Sequence, residues 1–462
     1  MKPVSLFFFV FLYFPLLALN SISILTNDDN LDNPISKQAI KDVQALLGQA
    51  CACEVSINQR TADVFLRLPE IDPKMLEQPT RFEKAADYPY LPVPKHDYSW
   101  VSETGKGGII LNLKTYSYKG ISDGLYGLLQ EQLGFLFYHP RETFIPELTE
   151  WPLPDNFEWA AVARFDKKGF HLHTQHPLEL TEPLLNHKFK GGLAMVKEYI
   201  DWLARNGQNY FEFNLLEGVS RKHWPDHAKA FVDYGHSRGI IMGVDVSLHM
   251  VQQKAFMLYK TPPASFRSKK KQIAKNLRWL FQAEWDVINM EFNTTEFSSG
   301  NEEKKNELRL FIIDEMAKYG AKLMGREHVV KEETMVSGKQ AKGDYDEADF
   351  KKDQERGVLI HTVMSYTISE EKAPVYGNEN LRHMLDMMHE EMAVRETWYY
   401  PESAYWITFD NSVPMFQLSY LSARLDDIEL MDKMDIPGHI TFSSGWEWGY
   451  WLVDWSIARW SW

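Results

Sequence analysis

From Phe165 onward the chain alternates short apolar runs with amphipathic stretches, and that regular alternation leaves few ways to fold. The runs occupy 169–173, 210–214, 240–246, 287–292, 321–325, 358–364, 397–401 and 439–443. Helical spacing recurs between them, at 192–205, 226–238, 304–319, 380–394 and 420–432. Apolar strands separated by helices suit a parallel sheet covered by those helices, and eight such units predict a (β/α)8 TIM barrel. A charged stretch at 331–356 follows the fifth run and reads as an inserted lid or loop. After the eighth run only 453–462 remains for a last helix, so that helix is expected to be short or the chain to be a fragment of a longer protein.

A chain of 462 residues is long enough for such a barrel, over 160–462, and a smaller domain before it. Residues 36–150 carry mixed signals: helical at 36–49 and 120–133, strand-like at 54–68 and 108–113, with a Pro-rich, charged loop at 69–96. They predict a small α/β accessory domain. Ahead of it, Lys2 precedes an apolar run over 4–19, broken by Pro15 and followed by Asn20 and Ser21. That is the layout of a secretory leader over 1–23, short for a membrane span of about 20 residues. The expectation is a secreted or periplasmic protein with no stable membrane insertion after cleavage; an uncleaved anchor is the competing reading. Cys51 and Cys53 are the only cysteines, too few for a zinc site, and read either as a thiol pair or as a local bridge.

A formal charge of −14 argues against a nucleic-acid partner, because little offsets phosphate repulsion apart from short runs such as 269–271. Two segments point elsewhere: Tyr399-Tyr-Pro-Glu-Ser-Ala-Tyr-Trp406 and Thr441-Phe-Ser-Ser-Gly-Trp-Glu-Trp-Gly-Tyr-Trp451 each set a glutamate among aromatic rings. Sugar C–H faces stack on aromatic faces, while carboxylates handle hydroxyls and glycosidic oxygens, so a carbohydrate substrate is expected; burial of the rings as plain core is the other reading.

In a barrel of this kind the active site lies at the C-terminal ends of the strands. There the sequence offers Glu296 after the fourth run and Glu402 after the seventh as the catalytic carboxylates, Glu296 as acid/base and Glu402 as its partner, with Glu291 a competing acid. Substrate recognition falls to His171, His173, Asn214, Tyr366, Trp406, Trp446, Glu447 and Trp448, with Gly445 and Gly449 placing Glu447 on a turn. No cofactor or metal is expected. The rival chemistry rests on His171-Leu-His173 with His328 and His361, similar to the His-x-His of metal-dependent amidohydrolase barrels. Against it, the eighth run ends without an aspartate, and His361 is expected near the start of its strand, at the wrong rim.

A family resemblance lies in Asp123-Gly-Leu-Tyr-Gly-Leu-Leu-Gln-Glu-Gln-Leu-Gly-Phe-Leu-Phe-Tyr-His-Pro140, followed by Phe144-Ile-Pro146. These residues resemble the closing helix and strand of the accessory domain that precedes the barrel in family 20 hexosaminidases and family 67 α-glucuronidases. The resemblance covers about a quarter of the chain and implies a scaffold domain without catalytic groups, in which His139 is structural. Glu296 and Glu402 sit where a large clan of retaining barrel glycosidases carries its acids, although Thr295 replaces that clan's asparagine and Asn293-Thr-Thr-Glu-Phe297 lacks the Asp-Glu pair of family 20. As a whole the barrel resembles secreted glycosidase-like proteins. Hydrolysis of a poly- or oligosaccharide is therefore expected, with an amidohydrolase-type hydrolase and an inactive glycan-binding barrel as the alternatives.

Overall fold

The structure, a computed structural model, describes residues 19–105, 108–176, 178–250, 253–292, 302–329, 347–403, 418–443 and 447–462. The first part is an α/β domain around a six-stranded sheet. Its strands in chain order are β1 (Ser21–Leu25), β2 (Glu54–Ile57), β3 (Val64–Arg67), β4 (Tyr98–Gly105), β5 (Gly108–Thr115) and, after the separate hairpin β6 (Leu136–His139) and β7 (Glu142–Phe144), β8 (Glu158–Ala161). They lie in the order β2-β1-β3-β5-β4-β8, parallel except where β4 meets β5 and β8. The helix Pro34–Cys51 starts where Asn33 caps the Ile35 amide and Pro34 supplies a preset φ, and it packs on the helix Tyr118–Gly127. A disulfide between Cys51 and Cys53 joins the end of that first helix to β2, so the local bridge is the reading that holds.

The domain is wider than 36–150. Strand β1 starts in the last residues of the span expected for the leader and runs past it, with Ile22 and Ile24 fully buried between β2 and β3; β8 extends the sheet to Ala161.

The second part is a closed, all-parallel barrel of β9 (Lys167–Leu172), β10 (Tyr210–Phe213), β11 (Ile241–Ser247), β12 (Val287–Glu291), β13 (Lys322–His328), β14 (Gly357–His361), β15 (Thr397–Tyr400) and β16 (Gly438–Ser443), with β16 closing on β9. All eight expected strands are present. Alternate residues face inward, and Tyr210, Val287, Met324, Leu359, Trp398, Tyr400, Ile440 and Phe442 fill the interior as one cluster. Glycines make room for the large members: a Cβ on Gly357 would lie 2.3 Å from Met324 Sδ, and one on Gly438 would lie 2.4 Å from Trp398 Cγ.

The N-terminal end of the barrel is plugged from the accessory domain. The Pro-rich stretch expected as loop contains the short helices Pro73–Leu76 and Arg81–Ala85, the second opened by a Thr80–Glu83 capping box. Beyond them Tyr90 lies with its ring 3.4 Å from Lys167 Nζ, and the Leu91 amide donates to Glu396 at 2.8 Å. A second seam is held by Arg205, which grips Asp42 through two bonds of 2.8 Å, and by Trp202, whose indole donates to the Phe137 carbonyl. The last helix, Glu447–Trp460, is longer than expected and begins where the sequence predicted a turn at Glu447. Val453, Ile457 and Ala458 recur at helical spacing and are buried, so packing draws the helix onto the barrel whatever Gly449 would permit.

Candidate active site

Inward-facing positions near the C-terminal ends of β9 to β13 carry polar side chains instead of the usual apolar ones, and they are joined into one network. His171 on β9 is fully buried; its Nδ1 faces Glu212 Oε1 at 2.8 Å and its Nε2 faces Asn214 Oδ1 at 2.9 Å. Glu212 also accepts from Tyr210 Oη at 2.6 Å and from Asn289 Nδ2 at 3.0 Å. Asn214 passes the chain on, donating to Asp245 Oδ2 at 2.9 Å. Arg326 completes it, with Nη1 on Asp245 Oδ2 at 2.8 Å and Nε on Glu291 Oε2 at 3.3 Å.

These groups do not titrate alike. Burial works to raise Glu212, but hydrogen bonds from His171, Tyr210 and Asn289 prevail and hold its carboxyl below the usual range. Asp245 goes the other way: burial pushes it up to about 6, against the pull of Arg326 and His171. His173, just past β9, is held well below the usual imidazole range by burial and then by His171, His176 and Arg326. Its ring packs 4.4 Å from that of Phe442.

Above this layer, β14 and β15 bring His361 and Glu402 together. Glu402 follows β15, with its Oε2 accepting the Met364 amide at 2.8 Å and its Oε1 lying 3.9 Å from His361 Nε2. Met364 holds this bond with φ of 69, a left-handed conformation uncommon for a side chain of its size and concentrated at functional sites. Arg424, on the helix Leu418–Lys433, fixes both approaching loops by donating to the Glu402 carbonyl at 3.0 Å and the Tyr366 carbonyl at 2.5 Å. It is itself anchored on Asp427 at 2.9 Å.

The structure thus brings together His171, His173, Asn214 and Glu402 of the expected site residues, with Tyr366 on the adjoining loop. His171 and Asn214 do not present free edges to a ligand, because their polar atoms are turned on each other and on Glu212 and Asp245. The same geometry counts against the His-x-His metal reading, since both His171 nitrogens are turned onto protein oxygens. His361 is corrected as well: it ends β14 at the C-terminal rim, because that strand stops three residues before the expected 364. Glu296, Trp406 and Trp446 lie outside the described residues, while Glu447 and Trp448 open the last helix. Among the described residues no three His, Cys, Asp or Glu side chains converge to hold a metal ion. Sequence reading passed over Glu212, Arg326 and Tyr400, which a strict two-residue period counted back from Asn214, His328 and Glu402 would have put on the inner face.

No protein-family model matches the chain, and no curated protein matches it in sequence. Its fold is similar to that of several solved glycoside hydrolases. A GH138 enzyme targeting pectin rhamnogalacturonan II aligns with a TM-score of 0.60 and 11% identity, over 96% of this chain and 51% of that one. A GH115 4-O-methyl-α-glucuronidase with specificity for decorated arabinogalactans aligns with a TM-score of 0.56 and 10% identity, over 96% of this chain and 56% of that one. A GH20 exo-β-N-acetylglucosaminidase from Vibrio harveyi gives 0.53 and 11%, over 96% and 71%. The chain therefore spans little more than half the length of the first two. What is shared at this identity is the fold, a TIM barrel behind an α/β domain.

Proposed function

We propose that the chain is a glycoside hydrolase that cleaves a poly- or oligosaccharide at the C-terminal rim of its barrel, with Glu402 and Glu296 as the two carboxylates. The observation that carries this reading is the setting of Glu402: a nearly buried carboxyl at a strand end, held by a strained backbone amide and flanked by His361. A carboxyl so fixed can act on one bond of a bound sugar, and hydrolysis by the commonest route needs a second carboxyl opposite it. The activities named for the solved enzymes of similar fold, all on glycans, support the class. His173, Tyr366, Trp406, Trp446, Glu447 and Trp448 are assigned to recognition of the sugar, and His171 and Asn214 to holding the floor on which it rests. The leader-like N-terminus and the Cys51–Cys53 bridge support an exported protein, because disulfides persist in oxidising compartments.

The test is a screen of the purified chain against chromogenic glycosides and plant and algal polysaccharides, scored by released chromophore or reducing ends. Turnover that disappears in Glu402→Gln supports the reading. Binding of a glycan without any turnover would make this a carbohydrate-binding barrel, and hydrolysis that persists in Glu402→Gln would place the chemistry elsewhere.

A further inference from the structure

We propose that the segment joining β11 to β12 is a docking surface for a polyanionic polysaccharide, the glycan whose bonds meet the rim. Between Asp245 and Glu284 the chain carries eight Lys or Arg residues and no Asp or Glu, in a protein whose formal charge is −14. Two of the cations are neutralised: Lys260 by Glu217 and Lys270 by Glu307, each at 2.6 Å. Arg267, Lys269, Lys271, Lys275 and Arg278 are exposed and have no acidic partner among the described residues.

The helix Lys269–Leu280 shows that these charges do not serve the fold. Ile273, Leu277 and Leu280 recur at helical spacing and are fully buried, so they seat the helix on the barrel. Lys271, Lys275 and Arg278 each stand two positions before one of them, hence on the opposite face, and form an exposed stripe about 10 Å long of a single sign. Like charges at that spacing repel, and Lys269, Lys270 and Lys271 load the first turn with cations where the helix dipole favours anions. Ser268 gives no side-chain cap to offset this. A helix charged against its own stability fits an anion from outside the molecule.

The surface adjoins the candidate site. Helices of such a barrel run back against the strands, so this helix starts at the rim where the strands end. Lys269 Nζ lies 4.7 Å from the Tyr259 ring, and Tyr259 stacks on His249, two residues past β11, with centroids 4.6 Å apart. Phe266, next to Arg267, is 84% exposed, the most exposed of the large apolar side chains described. A polysaccharide bearing carboxylate or sulfate groups along its length matches both features: the cations take the anionic groups and the ring takes a sugar face. A lone ring buries too little apolar area to anchor in a bilayer. The choice of a glycan over other polyanions rests on the glycosidase reading.

The test is retardation of the full chain in native gels cast with polygalacturonate, heparin or neutral hydroxyethyl cellulose, at several salt concentrations. The two polyanions should retard it, the neutral polymer should not, and salt should weaken the effect. The triple variant Lys271→Gln, Lys275→Gln, Arg278→Gln should bind about tenfold more weakly and with a shallower salt dependence. Phe266→Ala should weaken binding with the salt dependence unchanged. Gln keeps the helix propensity, so the triple variant should unfold no earlier than the parent; earlier unfolding with undiminished binding would give the stripe a structural role and overturn the proposal. Equal retardation by the neutral polymer overturns it too, as does tighter binding to single-stranded DNA or to phosphatidylserine vesicles than to either polyanion. Retardation by polygalacturonate alone or by heparin alone tells whether carboxylate or sulfate is the group read. Binding of a polyanion by a chain that turns over no glycan leaves the surface standing while the glycosidase reading fails. Turnover of a neutral glycan without retardation by either polyanion does the reverse.

Discussion

The two ends of the barrel interior both bury charge, and they do so in opposite ways. At the plugged end, Glu396 sits between Lys167 at 2.8 Å and Lys322 at 3.5 Å, accepts from the Trp398 indole and the Leu91 amide, and is fully buried. Burial works to raise its carboxyl, yet the two ammonium groups hold it below the usual range. At the C-terminal end, one cation, Arg326, is divided between Asp245 and Glu291. A charge locked into matched pairs stabilises one geometry and has no spare capacity to react. A carboxyl that shares its cation can change protonation near neutral pH, and burial pushes Asp245 up to about 6. Burial of charge alone therefore does not mark the site; incomplete neutralisation beside a rim does.

One substitution at each end puts this contrast at greatest risk. Glu402→Gln should lower turnover by about 10²- to 10⁴-fold, the usual reach of a general acid or base, with the folded state intact by circular dichroism. Glu396→Gln should do the reverse. Removing one partner of a buried ion pair leaves the other charge uncompensated, here on Lys167 and Lys322, and costs about 3–5 kcal/mol in denaturant unfolding. At a temperature where that variant is still folded, its kcat should match the parent. A Glu396→Gln protein as stable as the parent would mean the plug carries no net stabilisation, and the contrast would lose one side.

The sequence made the frame of this contrast readable and hid its content. Buried parallel strands show as apolar runs, so eight strands could be counted. The polar interior could not be seen in the same way, because Glu212 lies within Tyr210-Phe-Glu-Phe213 and Arg326 lies one residue beyond the expected end of its strand. Misplacing a strand end by three residues sent His361 to the wrong rim. Glu402 is 41 residues away, and it is the parallel pairing of β14 with β15 that brings the two to 3.9 Å. The plug was hidden for a related reason: nothing local in Pro89-Tyr-Leu91 shows that its targets, Lys167 and Glu396, lie in another domain.

A smaller effect should separate bond breaking from recognition within the rim itself. Glu447 is proposed to bind sugar hydroxyls, and losing charged hydrogen bonds costs about 1.5–3 kcal/mol each. Glu447→Gln should therefore lower kcat/KM by about ten- to a hundredfold and leave measurable turnover. Loss as deep as that of Glu402→Gln would make Glu447 a participant in the chemistry and would displace one member of the proposed pair.

The smallest effect returns to the plugged end, next to the matched pairs, where one charge is not matched. Lys168 follows Lys167 on β9 but points outward into the seam between the domains, with its Nζ 4.7 Å from the Trp462 ring. Its ammonium has no hydrogen-bond partner among the described residues. Burial lowers its pKa to about 7, with Lys119 adding to the fall and Asp123, Asp166 and Asp97 opposing it. In the unfolded chain a lysine titrates near about 10.4. Below pH 7 both states are charged and the cost of burying the ammonium is present in full. Between about 7 and 10 the native state binds fewer protons than the unfolded one, so stability rises with pH through that window. Lys168→Met keeps most of the length of the side chain and removes the amine. It should unfold at higher denaturant than the parent at pH 7, and raising the pH to 9 should narrow the gap by about 2 kcal/mol. The difference between the two slopes reports this amine together with the neighbours it acts on, Lys119, Asp123 and His96. Parallel slopes would show that water or an acid already compensates Lys168, and the seam would then be as fully matched as the plug around Glu396.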